Sequence, residues 1–171
     1  MKKLNSINNN QEYIYLVNDI LNNNKFTKLK ECIHHGTNRF EHSVRVSYYS
    51  YKITKALKLN YIETARGGLL HDFFENKDLS EKKQKLSMFF HPYSALDNAK
   101  NYFEITPLES DIIMNHMFPS LPHKIPKNIE SWIVSMVDKA VATYEFYESY
   151  GKPAVNRLQN VYIIILLLLH W

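Results

Sequence analysis

The chain has 171 residues, of which 45% are hydrophobic and 22% charged, and these proportions exclude a wholly disordered protein. Four glycines are too few for a fold with many tight turns, and a net charge of +4 is too small to indicate nucleic-acid binding by itself. The single cysteine, Cys32, cannot form a disulfide within the chain, and no secretory leader opens the sequence, so we expect a cytoplasmic protein.

The first part of the chain predicts two helices after a polar start. Residues 1–10 are rich in asparagine and are expected to form a loose terminus. A helical stripe of apolar residues follows, made of Tyr13, Leu16, Val17, Ile20 and Leu21. A shorter helix is predicted from Lys25 to about Ile33, before a break at Gly36-Thr37-Asn38.

Two longer helices are predicted next, and each carries a histidine. Asn38 followed by Glu41 is typical of a helix start. The stripe that begins there consists of His42, Val46, Tyr49, Ile53 and Leu57. After Asn60, a second stripe runs to His71-Asp72 and includes Ile62, Ala65, Leu69 and Phe73. Within it, Gly67-Gly68 would let another backbone approach closely.

The second half of the chain predicts three more helices. Residues 75–90 are charged and predict a loop with one short helix, after which Pro92 suits the first position of a helix. Thr106-Pro107-Leu108-Glu109 combines an N-cap, a first-turn proline and an acidic third residue, so a helix should run from there to about His116. A proline-rich loop precedes a long helix from about Ile129, which Gly151 is expected to close.

These elements predict an all-α, single-domain helical bundle of six or seven helices, because no period-two pattern appears before residue 160. We divide the chain into a loose N-terminus (1–10), a helical domain (11–150) and a C-terminal tail (151–171). The tail contains nine uncharged residues, Val161 to Leu169, too few for a membrane span of about 20 residues. A terminal helix packed on the core or in a homodimer is the simplest interpretation, and weak interfacial membrane contact is an alternative.

Six residues with metal-binding side chains lie on or beside predicted helices: His42, His71, Asp72, His91, His116 and Asp138. Any one of them alone has a simpler explanation, such as a hydrogen-bonded core histidine or a capping aspartate. A carboxylate in a helix as apolar as that around Asp138 is costly unless it is paired, however, and a metal ion is one such partner. Imidazole and carboxylate ligands suit Fe, Mn, Co, Ni or Zn, so the ligand types do not select the metal.

Three segments resemble the HD superfamily of metal-dependent phosphohydrolases: Arg-Phe-Glu-His-Ser-Val at 39–44, Gly-Leu-Leu-His-Asp at 68–72 and Val-Asp-Lys-Ala at 137–140. The resemblance covers about residues 35–145 and implies an HD-type helical domain. It implies that a first metal is bound by His42, His71, Asp72 and Asp138. The additional His91 and His116 look like the six-ligand subgroup, in which Asp72 would bridge to a second metal.

Within that subgroup, the chain looks nearer to the dinucleoside-tetraphosphate hydrolases than to the cyclic-dinucleotide phosphodiesterases. The latter have a lysine three residues after the aspartate, where this chain has Glu75, and their Gly-Tyr-Pro signature is absent. The resemblance therefore implies two divalent transition-metal ions and cleavage of a nucleotide or other small phosphate ester by a metal-activated hydroxide. Two alternatives are a di-iron oxygenase on the same fold and a non-catalytic nucleotide-binding module.

Two cations are candidates for binding the substrate. Arg39 lies one helical turn before His42 and could present a guanidinium fork to phosphate, although a surface arginine is an equal alternative. Lys139 follows Asp138 and either reaches the site or pairs with a glutamate. We assign the catalytic roles to Asp72, Arg39 and Lys139.

Several other basic residues have less certain positions. Lys82, Lys83 and Lys85 could cover an entrance, but a solvated loop is favoured. His123-Lys124 could line the same entrance, and nothing in the sequence fixes the direction of His34 or His35.

Overall fold

The chain is almost entirely helical in a computed structural model that describes residues 7, 9–34 and 37–155, without the side chains of residues 33 and 34. The described part contains eight α-helices: α1 Gln11–Leu21, α2 Asn24–Thr27, α3 Arg39–Ala56, α4 Tyr61–Leu70, α5 Glu81–Gln84, α6 Ser87–Tyr102, α7 Pro107–Asn115 and α8 Ile129–Phe146. Short 3₁₀ helices lie at Lys28–Glu31 and Asn76–Asp78, and strands β1 (Ile33–His34) and β2 (Thr37–Asn38) pair antiparallel. The all-α prediction is confirmed, since six of these helices have nine or more residues and the other two are single turns.

Helices α3 and α7 begin where the sequence supplies a capping side chain. The Oδ1 atom of Asn38 accepts a hydrogen bond from the backbone N–H of Glu41 at 2.8 Å, as predicted for α3. At α7, the Thr106 hydroxyl and the Glu109 carboxylate each accept a hydrogen bond from the other residue's backbone N–H, which completes a capping box. These caps fix the start of α3, where Arg39 and His42 lie, and of α7, which leads to His116.

Small residues bring α3 and α4 close together. The buried face of α3 includes Ser43, Ser47, Ser50 and Thr54. A Cβ atom added at Gly68 of α4 would lie 3.1 Å from the Cα of Ser47, so a larger residue would push the two backbones apart by a few tenths of an ångström. The packing confirms the predicted close backbone approach at Gly68, whereas Gly67 is approached by the side chain of Ile112 on α7. The contact at Gly68 sets the first turn of α3 beside the end of α4.

The apolar stripe predicted for α3 is wrong at its C-terminal end. Ile53 and Leu57 are 41% and 57% exposed. Helix α3 packs its serine face against α4, because small side chains permit closer packing there. With that face turned inward, Ile53 lies on the side of α3 that faces solvent. Sequence periodicity weights apolar residues and therefore does not detect a buried face made of serines.

Two predicted helix ends also differ in the structure. Pro92 is the sixth residue of α6 rather than its first, so the helix loses one backbone hydrogen bond and begins a turn and a half earlier than predicted. Gly151 does not close α8, because a π-helical turn, Tyr147–Gly151, continues it into helical residues 152–155. At Gly151 the Tyr147 ring occupies the space that a Cβ atom would need, with Cδ2 2.7 Å from that position.

The apolar run from Val161 to Leu169 lies outside the described residues, as does most of the predicted loose terminus. The domain boundaries at residues 10 and 150 stay predictions. None of the helices among the described residues has both the length and the apolar character that a membrane crossing requires.

Candidate metal centre

The six side chains predicted as metal ligands lie together in the interior, each between 0% and 8% exposed. They come from five helices or helix ends: His42 from the first turn of α3, His71 and Asp72 from the end of α4, His91 from α6, His116 from the end of α7 and Asp138 from α8. The cluster therefore depends on the packing of the whole bundle rather than on one local motif.

One half of the cluster consists of His42, His71 and Asp138. The Oδ1 atom of Asp138 lies 3.0 Å from Nε2 of His42 and 3.7 Å from Nε2 of His71. One potential ligand atom from each of the three residues lies within 4.8 Å of the other two. This spacing is compatible with a metal ion held between them.

The other half is arranged around Asp72. Its Oδ1 atom lies 3.4 Å from Nε2 of His91 and 3.7 Å from Nε2 of His116, whereas its Oδ2 atom lies 3.9 Å from Nε2 of His71. The two carboxylate oxygens thus face different histidines. His71, Asp72 and His116 form a second group with ligand atoms within 4.8 Å of one another, and this group shares His71 with the first.

Backbone carbonyls orient three of the four imidazoles. The Nδ1 atoms of His71, His91 and His116 each lie 2.8 Å from a carbonyl oxygen, of Gly68, Ser87 and Ile113 respectively. Because a carbonyl only accepts, each Nδ1 carries the proton and donates it. The Nε2 atom of each ring then points into the cluster and is the nitrogen that a metal would use, as in metal-bound histidines.

The contact between His91 and His116 shows most clearly why a cation fits this site. Their Nε2 atoms face each other at 2.9 Å. Burial lowers the pKa of His91 and holds the pKa of His116 well below its ordinary value, so both rings are neutral at pH 7 and present lone pairs to each other. The buried Nε2 atom of His71 makes no hydrogen bond. A divalent cation would satisfy all three nitrogens, so the donor set fits a metal.

His42 is held differently, by a glutamate that the sequence reasoning did not assign to the site. Its Nδ1 atom lies 2.8 Å from Oε2 of Glu145, which is 4% exposed. Burial favours the neutral ring, but hydrogen bonds from His42 to the carboxylates of Asp138 and Glu145 outweigh it and raise the pKa of His42 to about 10. Glu145 lies seven residues after Asp138, two helical turns along the same face of α8, and that spacing was the available signal.

Asp138 is ionised in this environment. Burial alone would raise its pKa, but the hydrogen bond from His42 and the nearby side chains of His71 and Lys139 outweigh burial and hold the pKa well below its ordinary value. Lys139, the predicted catalytic cation that follows Asp138 on α8, also contacts the cluster. Its Nζ atom lies 2.9 Å from Oδ2 of Asp138 and donates a hydrogen bond to the carbonyl of His116. It therefore reaches the cluster rather than the glutamates considered as alternative partners.

Arg39 is buried, which excludes the surface interpretation. It is 5% exposed, its Nη1 donates to the carbonyl of Phe74 at 2.7 Å, and its guanidinium carbon lies 3.9 Å from the centre of the Phe74 ring. Its Nε atom is buried without a hydrogen bond and lies 3.9 Å from Oδ2 of Asp72. The guanidinium thus has one unused donor beside the cluster.

A cavity of about 410 Å³ opens onto the cluster. Its walls are formed by Arg39, Asp72, Phe74, Ser87, Met88, His91, His116, Met117, Ser120, Asp138, Lys139 and Ala142. The loop lysines and His123, which were considered as entrance residues, are exposed and do not belong to this lining. The side chains of His34 and His35 lie outside the described part of the chain.

The chain is an all-α bundle with a buried cluster of histidines and aspartates at the base of a cavity, an arrangement that could hold divalent metal ions. A model of the HD domain family matches residues 39–143, well over half of the chain, and the protein belongs to that family. HD domains are generally metal-dependent phosphohydrolases, and the buried histidine and aspartate groups of this chain are compatible with a divalent metal. No curated protein and no solved structure matches the chain.

Proposed function

We propose that this protein is a metal-dependent phosphohydrolase that cleaves a nucleotide or another small phosphate ester or anhydride. The observation that carries the proposal is the pair of neutral imidazoles, His91 and His116, whose Nε2 atoms face each other at 2.9 Å. Two buried lone pairs at this distance repel each other unless a cation lies between or beside them. A bound cation would remove this repulsion, and two buried aspartates beside the histidines would balance its charge.

The proposed centre holds two divalent transition-metal ions. His42, His71, Asp72 and Asp138 would bind the first, and Asp72 would bridge to a second ion completed by His91 and His116. The orientation of Asp72 supports a bridge, because its two oxygens face different histidines. Bound divalent ions would supply a water of lowered pKa as the nucleophile and would neutralise part of the phosphoryl charge.

The remaining roles belong to Arg39 and Lys139. Both line the cavity beside Asp72 and Asp138, and both carry a charge that stabilises phosphoryl oxygens as negative charge develops on them. The guanidinium of Arg39 lines the cavity while its Nη1 stays bonded to the carbonyl of Phe74, so Arg39 could contact a phosphoryl oxygen without losing that bond. Arg39 is buried, which strengthens its electrostatic contacts because little water competes for them.

The cavity supports a compact substrate. About 410 Å³ is near the lower end of the range of ~300–1,000 Å³ that is typical of ligand pockets. Met88, Met117 and Ala142 give it an apolar wall, and Arg39 and Lys139 are the two cations in its lining. Although the sequence looks nearer to the dinucleoside-tetraphosphate hydrolases, a cavity of this size leads us to expect that a nucleoside monophosphate is hydrolysed faster than a dinucleoside tetraphosphate. We also propose that the protein is cytoplasmic, that it binds no nucleic acid and that it assembles as a homodimer.

The test is phosphate release by protein stripped of metal and reloaded separately with Mn, Co, Ni, Zn or Fe. The substrates are a nucleoside monophosphate, a nucleoside triphosphate, a dinucleoside tetraphosphate and p-nitrophenyl phosphate. Asp72→Asn should abolish release, whereas the matched control Asp97→Asn, at an exposed position on α6, should retain it. No phosphate release with any metal would refute the proposal. Oxygen consumption by the iron form, without phosphate release, would favour the oxygenase alternative.

A further inference from the structure

We infer that Glu145 is a positioning residue of the proposed metal centre, where it orients His42 and strengthens that imidazole as a ligand. The inference rests on the proposed function, because it assigns to Glu145 a role toward a metal bound by His42, His71 and Asp138. Neither the family match nor the sequence motifs include this residue, since the matched segment ends at residue 143.

The contact joins two helices that are distant in sequence. Glu145 stands near the end of α8 and His42 in the first turn of α3, 103 residues apart, yet Oε2 lies 2.8 Å from Nδ1. The two side chains are 4% and 0% exposed. A buried carboxylate must be paired to offset its lost hydration, so its place beside the imidazole reflects a specific interaction.

The second oxygen of Glu145 is fixed as firmly as the first. Its Oε1 atom lies 2.5 Å from Nη1 of Arg45, one turn after His42 on α3, and Arg45 is held in turn by Glu41 at 2.9 Å. With both oxygens engaged, the carboxylate has little freedom to rotate away from His42. The arrangement determines which face of the imidazole ring, and which nitrogen, is directed at the cluster.

His42 is distinguished from the other histidines of the cluster by the charge of this partner. His71, His91 and His116 donate Nδ1–H to neutral carbonyls within one turn of their own positions. The Nδ1 of His42 faces an anion instead. A carboxylate on the outer nitrogen makes the inner nitrogen of an imidazole a better electron donor, and loss of such a partner typically weakens metal binding about 10- to 100-fold.

A purely structural explanation is that Glu145 and Arg45 form an ion pair that joins α8 to α3. The two explanations make different predictions for the metal-loaded protein. An ion pair that only joins helices affects the unfolding temperature, and its disruption leaves the ligand field of a bound metal unchanged. A positioning residue alters metal affinity and the spectrum of the metal, even where the metal-free protein unfolds at the same temperature.

The experiment compares Glu145→Gln with Glu41→Gln, which makes the same chemical change on the far side of Arg45 without touching His42. Co²⁺ is titrated into each metal-free protein by calorimetry, and the visible spectrum of bound Co²⁺ is recorded. We expect Glu145→Gln to weaken one Co²⁺ site about 10- to 100-fold and to change its spectrum, and Glu41→Gln to change affinity less than about threefold.

Glu145→Asp provides a second test should the glutamine variant fail to fold. It retains the charge but moves the carboxylate away from Nδ1, so it should also weaken Co²⁺ binding. Wild-type affinity and spectrum in the Glu145 variants would overturn the inference while leaving the proposed function intact. Failure of the wild-type protein to bind Co²⁺, or any other divalent ion, would overturn both.

Discussion

Replacing Arg39 tests the two roles that the structure gives this residue, one in stability and one in substrate binding. In the folded protein it donates to the Phe74 carbonyl at 2.7 Å and stacks on the Phe74 ring at 3.9 Å, and it directs an unused Nε donor toward the cluster. Arg39→Ala removes all of these at once. We therefore expect a loss of stability and a loss of catalytic efficiency, with no loss of metal, because a guanidinium cannot be a metal ligand.

The magnitudes follow from the contacts. A hydrogen bond from a charged donor contributes about 1.5–3 kcal/mol, and a buried cation–π contact about 2 kcal/mol. Together they amount to about 3.5–5 kcal/mol, which lies at or below the lower end of the ~5–15 kcal/mol that stabilises a typical domain. Loss of one charged contact to the phosphoryl group would lower kcat/KM about 10- to 100-fold.

The assay compares wild type, Arg39→Ala and Arg39→Lys at low salt, with saturating metal and at a temperature where circular dichroism shows each variant to be folded. Arg39→Lys should recover only part of kcat/KM, because a point charge does not reproduce the planar fork of a guanidinium. Metal content should be equal in all three proteins. Unchanged kcat/KM in a folded, metal-loaded Arg39→Ala protein would refute the reasoning and return Arg39 to a structural role.

Three further predictions concern metal binding and stability. Divalent metal at 100 times its dissociation constant should stabilise the protein by about 2.7 kcal/mol, which differential scanning fluorimetry would detect as a rise in Tm of about 5–10 °C; no shift with any tested ion would contradict it. The raised pKa of about 10 leaves His42 protonated at pH 7, so metal binding should release about one proton from this ring and metal affinity should rise with pH. Equal binding enthalpies in buffers of different ionisation enthalpy would argue against this proton release. Asp111→Ala should lower the free energy of unfolding by about 3 kcal/mol in urea titrations, because its Oδ2 accepts from Ser131 and from the backbone N–H groups of Lys127 and Asn128. Burial alone would raise the pKa of Asp111, but these hydrogen bonds outweigh burial and lower it. The stabilisation by Asp111 should therefore be present above about pH 4 and be lost as pH falls further. An equal effect of Asp111→Ala on the free energy of unfolding at about pH 2 and pH 7 would contradict the assignment.

Local signals in the sequence were sufficient for the helical fold. The caps at Asn38 and Thr106 and the close approach at Gly68 each depend on a few adjacent residues, and the structure contains all three. The exposed Ile53 could not be predicted in the same way. Its orientation depends on how closely α3 packs on α4, which is a property of two helices together.

The candidate site likewise contains residues that the sequence predicts and one residue that it does not. His42, His71 and Asp138 were recognisable because the motifs around them are specific, and the structure brings them together. Glu145 was not recognisable, because its contact with His42 depends on the crossing of α8 over α3 and on Arg45 as a second partner. A glutamate two turns beyond an aspartate is common on helix surfaces, so spacing alone does not identify it.

The measurement that tests the central claim most directly is the metal content of the purified protein. Elemental analysis of wild type and of Asp72→Ala, prepared in parallel and each checked for folding, compares the cluster with and without its bridging candidate. Binding by the cluster predicts about two transition-metal ions per chain in the wild type and a clear loss in the variant. Equal metal content in the two proteins, or no metal in either after incubation with Mn, Co, Ni, Zn and Fe, would contradict it.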